Sequence, residues 1–264
     1  MQKVTIITIS FNCREEIETT IKSVLAQTYQ NIEYLVIDGA SNDGTVDIIQ
    51  KYSDKIDTWV SEKDEGIYDA MNKGVKMATG DWILFMNAGD WFAADDAVEK
   101  IFSQDMSGFG LVYGDHEVVY DKLTKVKKAL PVEDLWKGMI FSHQALFTKT
   151  QLLLDHPFEG KRWKRCADFH FIYNRWKDGV KFHHIPIHIA CFRSGGLSDI
   201  QAVQAKEETW AIVKERDDRS EVDEHYKKLI SYEKKVTAIR KKLPPSAFEY
   251  LMKLKNLIAG KNTR

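Results

Sequence analysis

Residues 64–90 read DEGIYDAMNKGVKMATGDWILFMNAGD, from Asp64 to Asp90. An acidic loop opens the stretch. Ile67–Ala78 follows with apolar residues at helical spacing, and Thr79-Gly80 closes it. Trp82–Met86 is a short apolar run that reads as a buried strand. The strand leaves through a polar turn, Asn87-Ala88-Gly89-Asp90. A helix that feeds a buried strand is one unit of an alternating α/β chain.

The residues upstream repeat that unit. Val4–Ile9 is a β-branched run, predicted as a strand, and Glu15–Ala26 carries Ile17, Ile21, Val24 and Leu25 at helical spacing. Glu33–Asp38 is predicted as a second strand. The turn Gly39–Gly44 follows, then a helix over Val46–Lys51 with Thr45 as its cap. Thr58–Ser61 is a short third strand. Four such units within about ninety residues predict a parallel, doubly wound sheet. Ligands of such sheets bind beyond the carboxyl ends of the strands, where Asp38 and the turn Asn87–Asp90 fall. Downstream, Leu111–Tyr120 with Lys125–Ala129 predicts a hairpin, Val132–Lys137 and Asp168–Trp176 predict helices, and Lys181–Phe192 a strand.

Composition narrows the class. The chain has 264 residues, of which 44% are hydrophobic, so a full core is within reach. A formal net charge of -1 gives no case for a nucleic-acid partner. Cys13, Cys166 and Cys191 lie far apart without metal-site spacing, which suits a reducing compartment. The N-terminal apolar run is short for a secretory signal, and no other run is long enough to span a bilayer. The expectation is a cytoplasmic protein, with any membrane contact peripheral, on the inner face.

The turn after the first strand, Ser10-Phe11-Asn12-Cys13-Arg14, holds no glycine, and no P-loop is present. Neither usual backbone cradle for a pyrophosphate is therefore available. Acidic turns at strand ends suit another solution, a divalent cation shared between carboxylate and phosphates. Thr5–Asn12 (TIITISFN), Ser23–Tyr29 (SVLAQTY), Ile37–Thr45 (IDGASNDGT) and Asp64–Asp90 together resemble the opening of family-2 glycosyltransferases. Ser142-His143-Gln144, Ala167-Asp168 and Arg193–Ser198 fall where that family places acceptor-side elements. The resemblance implies a GT-A fold, a Rossmann-like α/β arrangement with a mostly parallel central sheet flanked by helices. It also implies a nucleotide-sugar donor, such as a UDP-sugar, and Mn²⁺ or Mg²⁺.

Each site residue has a role by resemblance and a plainer alternative. Asp38 is expected to meet the base or ribose, or else to cap its turn. Ile9 and Phe11 flank the base by resemblance, or pack in the core. Asp43 is expected to order its own turn. Asp90 is the expected metal carboxylate and Asn87 a neutral oxygen or ribose contact, although Gly89 stands where the family has a second Asp. Glu65 and Lys73 are donor-side by resemblance, or serve the helix dipole and solvent. Asp168 is the expected general base, with Ala167 where the family has Glu; its alternative is a helix N-cap. His143 and Arg193 are expected on the acceptor side, and Gly195-Gly196 is a loop hinge or a tight turn.

These readings predict a hexosyltransferase-type enzyme that passes one sugar, with inversion, to a glycan or lipid-linked acceptor in surface-polysaccharide assembly. The rival on the same fold is a non-catalytic nucleotide-sugar binder. A nucleotidyltransferase would need a Gly- and Arg-rich loop after strand one, which the chain lacks. Residues 1–215 are expected to form the transferase domain, divided into a nucleotide-sugar half (1–110) and an acceptor half (111–215). Residues 216–264 are expected to form a basic amphipathic helical tail split by Pro244-Pro245, either lying on anionic membrane or packing on protein.

Overall fold

The structure is a computed structural model that describes residues 1–120, 123–193 and 201–242. The chain divides into two compact units, Met1–Ile200 and Gln201–Arg264.

Within the first unit, strands β1 (Val4–Ser10), β2 (Ile32–Asp38), β3 (Thr58–Ser61) and β4 (Trp82–Phe85) pair in parallel in the order β3-β2-β1-β4. Helices α1 (Arg14–Leu25), α2 (Thr45–Lys51) and α3 (Ile67–Met77) connect them. All seven residues of β1 are buried, because helices cover both faces of this part of the sheet. One face packs Val4, Ile6, Val36, Trp82 and Leu84 against Ile17, Ile21 and Val24 of α1. On the other face, α3 lies so close to β1 that a Cβ at Gly74 would stand 2.7 Å from Ile7 Cγ2.

Beyond β4 the sheet turns antiparallel. β8 (Leu146–Lys149) is inserted between β4 and β6 (Leu111–Tyr120), antiparallel to both. The hairpin strand β7 (Leu123–Lys127) pairs with β6. β9 (Phe182–Arg193) runs parallel to β6, and β5 (Trp91–Phe92) pairs antiparallel with β9 at the far edge. The result is a mixed nine-stranded sheet among the described residues, with helices α4 (Ala97–Phe102), α5 (Thr150–Asp155) and α6 (Ala167–Lys177) completing the unit. The predicted parallel sheet thus holds for β1–β4, and strands β5 and β8 are additions. Val132–Lys137 is a 3₁₀ segment. Thr45 does not cap α2 with its side chain. Asp43 accepts the Thr45 amide at 3.0 Å and takes over that role.

In the second unit, α7 (Ala202–Lys214) and α8 (Ser220–Lys242) pack side by side. The Trp210 and Tyr226 rings stack at 6.4 Å, and Asp223 accepts from Trp210 Nε1 at 3.0 Å and Lys214 Nζ at 2.8 Å. The chain passes from the first unit to the second between Ile200 and Gln201. Gly195-Gly196, Pro244-Pro245 and the apolar and basic residues from Leu243 onward lie outside the described residues. No helix among the described residues is long and apolar enough to cross a membrane.

Candidate active site

The parallel strands end along one edge. β1 ends at Ser10, and Phe11 beyond it is 64% exposed. An apolar ring held open to solvent is a platform on which a planar base can stack. A Cβ at Gly39 would come within 2.6 Å of Asp64 Oδ2 and 3.2 Å of the Phe11 ring, so these three residues converge. Asp38 lies beneath them and is completely buried. Its carboxylate accepts from Ser10 Oγ (2.9 Å), Ser41 Oγ (2.6 Å), Ser41 N (2.9 Å) and Ser61 Oγ (2.6 Å). Both oxygens are already used within the protein, so a ligand reaches Asp38 only by displacing one of these donors. Ile9 is also buried, and its carbonyl receives the Ala88 amide at 3.0 Å. Its contribution to the edge is through backbone.

The turn after β4 is tied to α1 by Thr20. The Thr20 hydroxyl accepts from Gly89 N at 2.9 Å and donates to the Asp90 carbonyl at 2.7 Å. Gly89 has φ +97°, a conformation that strains an L side chain, and its missing Cβ faces Glu16 of α1 at 3.6 Å. A carboxylate there would be strained and would face another carboxylate. Gly89 therefore suits this turn, and Asp90 is its only acidic side chain. Burial pushes the Asp90 carboxyl up to about 7, against the pull of a 2.8 Å hydrogen bond from Gln144 Nε2. The Asn87 Oδ1 atom is buried with no hydrogen-bond partner. An under-used carboxylate and an orphaned amide oxygen are hard oxygen donors that fit Mg²⁺ or Mn²⁺. Among the described residues no group of three His, Cys, Asp or Glu side chains forms a complete cage. The cation that fits is one completed by ligand phosphates.

Asp168 comes from the other half of the unit. It is the second residue of α6, whose N-cap is Cys166, so it does not cap the helix. Tyr68 of α3 donates its hydroxyl to Asp168 Oδ1 at 2.8 Å and reaches the Arg165 carbonyl at 2.9 Å. Burial first, and then the Asp168 charge, hold the Tyr68 phenol far above its usual range, so it stays a donor. His143 Nδ1 lies 3.7 Å from Asp168 Oδ2, its ring stacked 5.3 Å from Phe85. Burial lowers the His143 pKa, opposed by Asp168, so the imidazole is neutral at pH 7. Adjacent Gln144 holds Asp90, so the His143-Gln144 segment lies between Asp90 and the Tyr68–Asp168 pair; both His143 ring nitrogens are buried without a hydrogen-bond partner, and the 3.7 Å approach to Asp168 is a contact, not a hydrogen bond.

The remaining predicted residues divide. The Arg193 guanidinium lies 5.9 Å from the ring centroid of Trp91, the residue after Asp90. Lys73 pairs with Glu62 at 3.0 Å and donates to the Lys63 carbonyl at 3.0 Å, contacts internal to its own loop and helix. Glu65 is exposed and pairs with Lys161 at 2.9 Å. Asp43 orders its turn as expected, accepting from Arg14 N and Thr45 N. Sequence reasoning missed Tyr68 and the bridging role of Gln144. The Ser142-His143-Gln144 block was a signal for Gln144, whereas Tyr68 stood unmarked in a helix pattern.

Residues 5–193 match the description of Glycosyl transferase family 2. The chain belongs to that family. An uncharacterized glycosyltransferase of Mycobacterium tuberculosis is 42% identical over 110 residues, 41% of this chain and 42% of its own. A PGL/p-HBAD biosynthesis glycosyltransferase of Mycobacterium bovis is 29% identical over 169 residues, 61% of this chain and 65% of its own. The similarity thus spans about two-fifths to two-thirds of these relatives' lengths. A putative teichuronic acid biosynthesis glycosyltransferase of Bacillus subtilis is 31% identical over 148 residues, 52% of this chain and 58% of its own. Among solved structures, a Pyrobaculum calidifontis mannosyltransferase in complex with GDP-Man and Mn²⁺ superposes with a TM-score of 0.67 at 17% identity, covering 98% of this chain and 80% of that one. TarS of S. aureus in complex with UDP-GlcNAc gives 0.62 at 15% identity, covering 86% and 70%. These likenesses establish the GT-A fold.

Proposed function

We propose that this glycosyltransferase moves one hexose from a nucleoside-diphosphate sugar to a hydroxyl of a glycan or lipid-linked acceptor, with inversion. The observation that carries this reading is that two carboxylates flank the His143-Gln144 segment, with Gln144 bonded to the metal-suited Asp90 and His143 3.7 Å from Asp168 of α6. The nucleotide lies along Phe11, Gly39 and Asp64, with its diphosphate toward Asn87 and Asp90. Asp90, with Asn87 as neutral oxygen, would hold a divalent cation there, which would supply positive charge against the departing diphosphate. Asp168 takes the proton of the acceptor hydroxyl as its oxygen bonds to the anomeric carbon and the bond to the diphosphate breaks. The Tyr68 hydroxyl holds that carboxylate in place, neutral His143 packs beside it, and Arg193 borders the acceptor side.

Relatives named for PGL/p-HBAD and teichuronic acid biosynthesis support a surface-glycan acceptor, and structures of the same fold solved with UDP-GlcNAc and with GDP-Man and Mn²⁺ support donor and metal. The exposed lysines of α8 support peripheral contact with anionic membrane.

The test is a panel of UDP-, GDP- and dTDP-hexoses with and without Mn²⁺, read as released nucleoside diphosphate. Metal-dependent release from one donor is expected. Binding of a donor with no release, over a range of acceptors, would instead support the non-catalytic binder.

A further inference from the structure

The loop that leads into α6 reads Lys161-Arg162-Trp163-Lys164-Arg165, four cations in five residues of a chain whose net charge is -1. All four cationic residues are exposed, while Trp163 is buried beneath them. The loop is fastened to α3 at three points. Asn72 exchanges two hydrogen bonds with the Phe158 backbone, each at 2.9 Å. Gly160 packs against Tyr68, where a Cβ would stand 2.7 Å from the Tyr68 Cβ. The Arg165 carbonyl accepts from the Tyr68 hydroxyl at 2.9 Å, and that hydroxyl also holds Asp168. The cations are therefore carried on a braced loop that leads directly into α6, three to seven residues before Asp168. Part of the charge is offset, since Lys161 meets Glu65 at 2.9 Å and Arg162 meets Glu159 at 3.8 Å. Arg162 is further held over the Trp163 ring at 4.8 Å.

We infer that this loop is an anion subsite for the acceptor, which carries a phosphate or diphosphate next to the sugar or alcohol that receives the new residue. The inference rests on the proposed transfer reaction and names its acceptor class. Guanidinium and ammonium groups are the side chains that recognise phosphate oxygens. The start of α6 adds the positive end of a helix dipole on the same side. A phosphate on this loop could belong to the donor or to the acceptor. The loop meets the donor-side loop through the Lys161–Glu65 pair, but its end is fixed to Tyr68 and runs into the helix that carries Asp168, so the geometry points to the acceptor.

The test uses alkyl-linked acceptors with one terminal sugar, joined to the alkyl chain directly or through a diphosphate, and a third acceptor with a sugar phosphate and no alkyl chain. The parent protein is expected to show a KM at least about tenfold lower for the diphosphate-linked acceptor than for the neutral one, an advantage that added salt erodes. Lys161→Glu with Lys164→Glu is expected to abolish that advantage, and Lys164→Arg to retain it. A similar gain with the chain-free sugar phosphate identifies phosphate, not lipid, as what the loop reads. The nucleoside-diphosphate dissociation constant reports on fold and donor site, and is expected to stay within about twofold. Equal KM values in the parent, or an advantage that survives the double charge reversal, would overturn the inference while leaving the transferase reading intact. Weakened nucleotide binding in the double variant would reassign the loop to the donor and overturn it too. A parent that binds nucleotide yet transfers to none of the three acceptors overturns both.

Discussion

The Asp90 carboxyl, pushed up to about 7 by burial, is held by one hydrogen bond from Gln144. A raised carboxyl pKa means that the folded state keeps this proton longer than the unfolded chain. Stability from this group is full below about pH 4, falls as pH rises, and is lost above about 7. Asp90→Asn therefore melts higher than the parent at pH 8, by roughly 5 °C, and with little difference at pH 4, as scanning calorimetry without nucleotide would read. Its nucleoside-diphosphate affinity in Mn²⁺ falls, and with EDTA it matches the parent. Asp38, by contrast, is held by four donors. Asp38→Ala strands four donors, one buried and three half-buried, and lowers stability by about 3 kcal/mol in a urea titration, with weaker nucleotide binding as a consequence of the loosened loop. Both carboxylates stood out in the sequence as residues at strand ends. Their difference was not legible there, because it depends on Ser10, Ser41 and Ser61 converging on one and only Gln144 reaching the other.

At the scale of elements, α3 joins the two halves of the site. Its inner face meets β1 at Gly74, and its first turn presents Tyr68 to Asp168. Gly74→Ala gains up to about 1 kcal/mol of helix propensity, but drives a methyl to 2.7 Å from Ile7 between a helix and a strand that is buried on both faces. Overpacking of that kind costs about 1–3 kcal/mol and outweighs the gain, so the variant is expected to unfold at lower denaturant than the parent. Tyr68→Phe removes one hydroxyl and keeps the packing. It is expected to lower kcat about tenfold with donor affinity unchanged in single-turnover and titration measurements. The parallel strands were legible because burial on both faces leaves continuous apolar runs such as Val4–Ile9. β8 was not, since its four residues gain strand structure only by slotting between β4 and β6. Tyr68 escaped notice because its partner is 100 residues away in the chain.

Over the whole molecule, the site draws on both halves of the first unit, while the second unit offers charge. On α8 the apolar residues Val222, Tyr226 and Ile230 are buried, whereas Lys227, Lys228, Lys234 and Lys235 are exposed. Truncation after Asp223 would strip α7 of its partner, so neutralisation is the cleaner test. Lys227→Gln, Lys228→Gln and Lys235→Gln together are expected to reduce co-sedimentation with anionic vesicles, at about 1 kcal/mol per lysine, with helix content unchanged. Full-length protein left in the supernatant at low salt would show that α8 is only a packing helix. The division of labour within the first unit is open to a more direct measurement. Asp168→Asn keeps an oxygen that can accept from Tyr68 but loses the capacity to take a proton. Transfer rate and donor dissociation constant, measured side by side in Mn²⁺, separate the two halves. The expected result is a rate lowered about 10²- to 10⁴-fold with donor affinity unchanged. A variant that transfers sugar at the parent's rate would contradict the account.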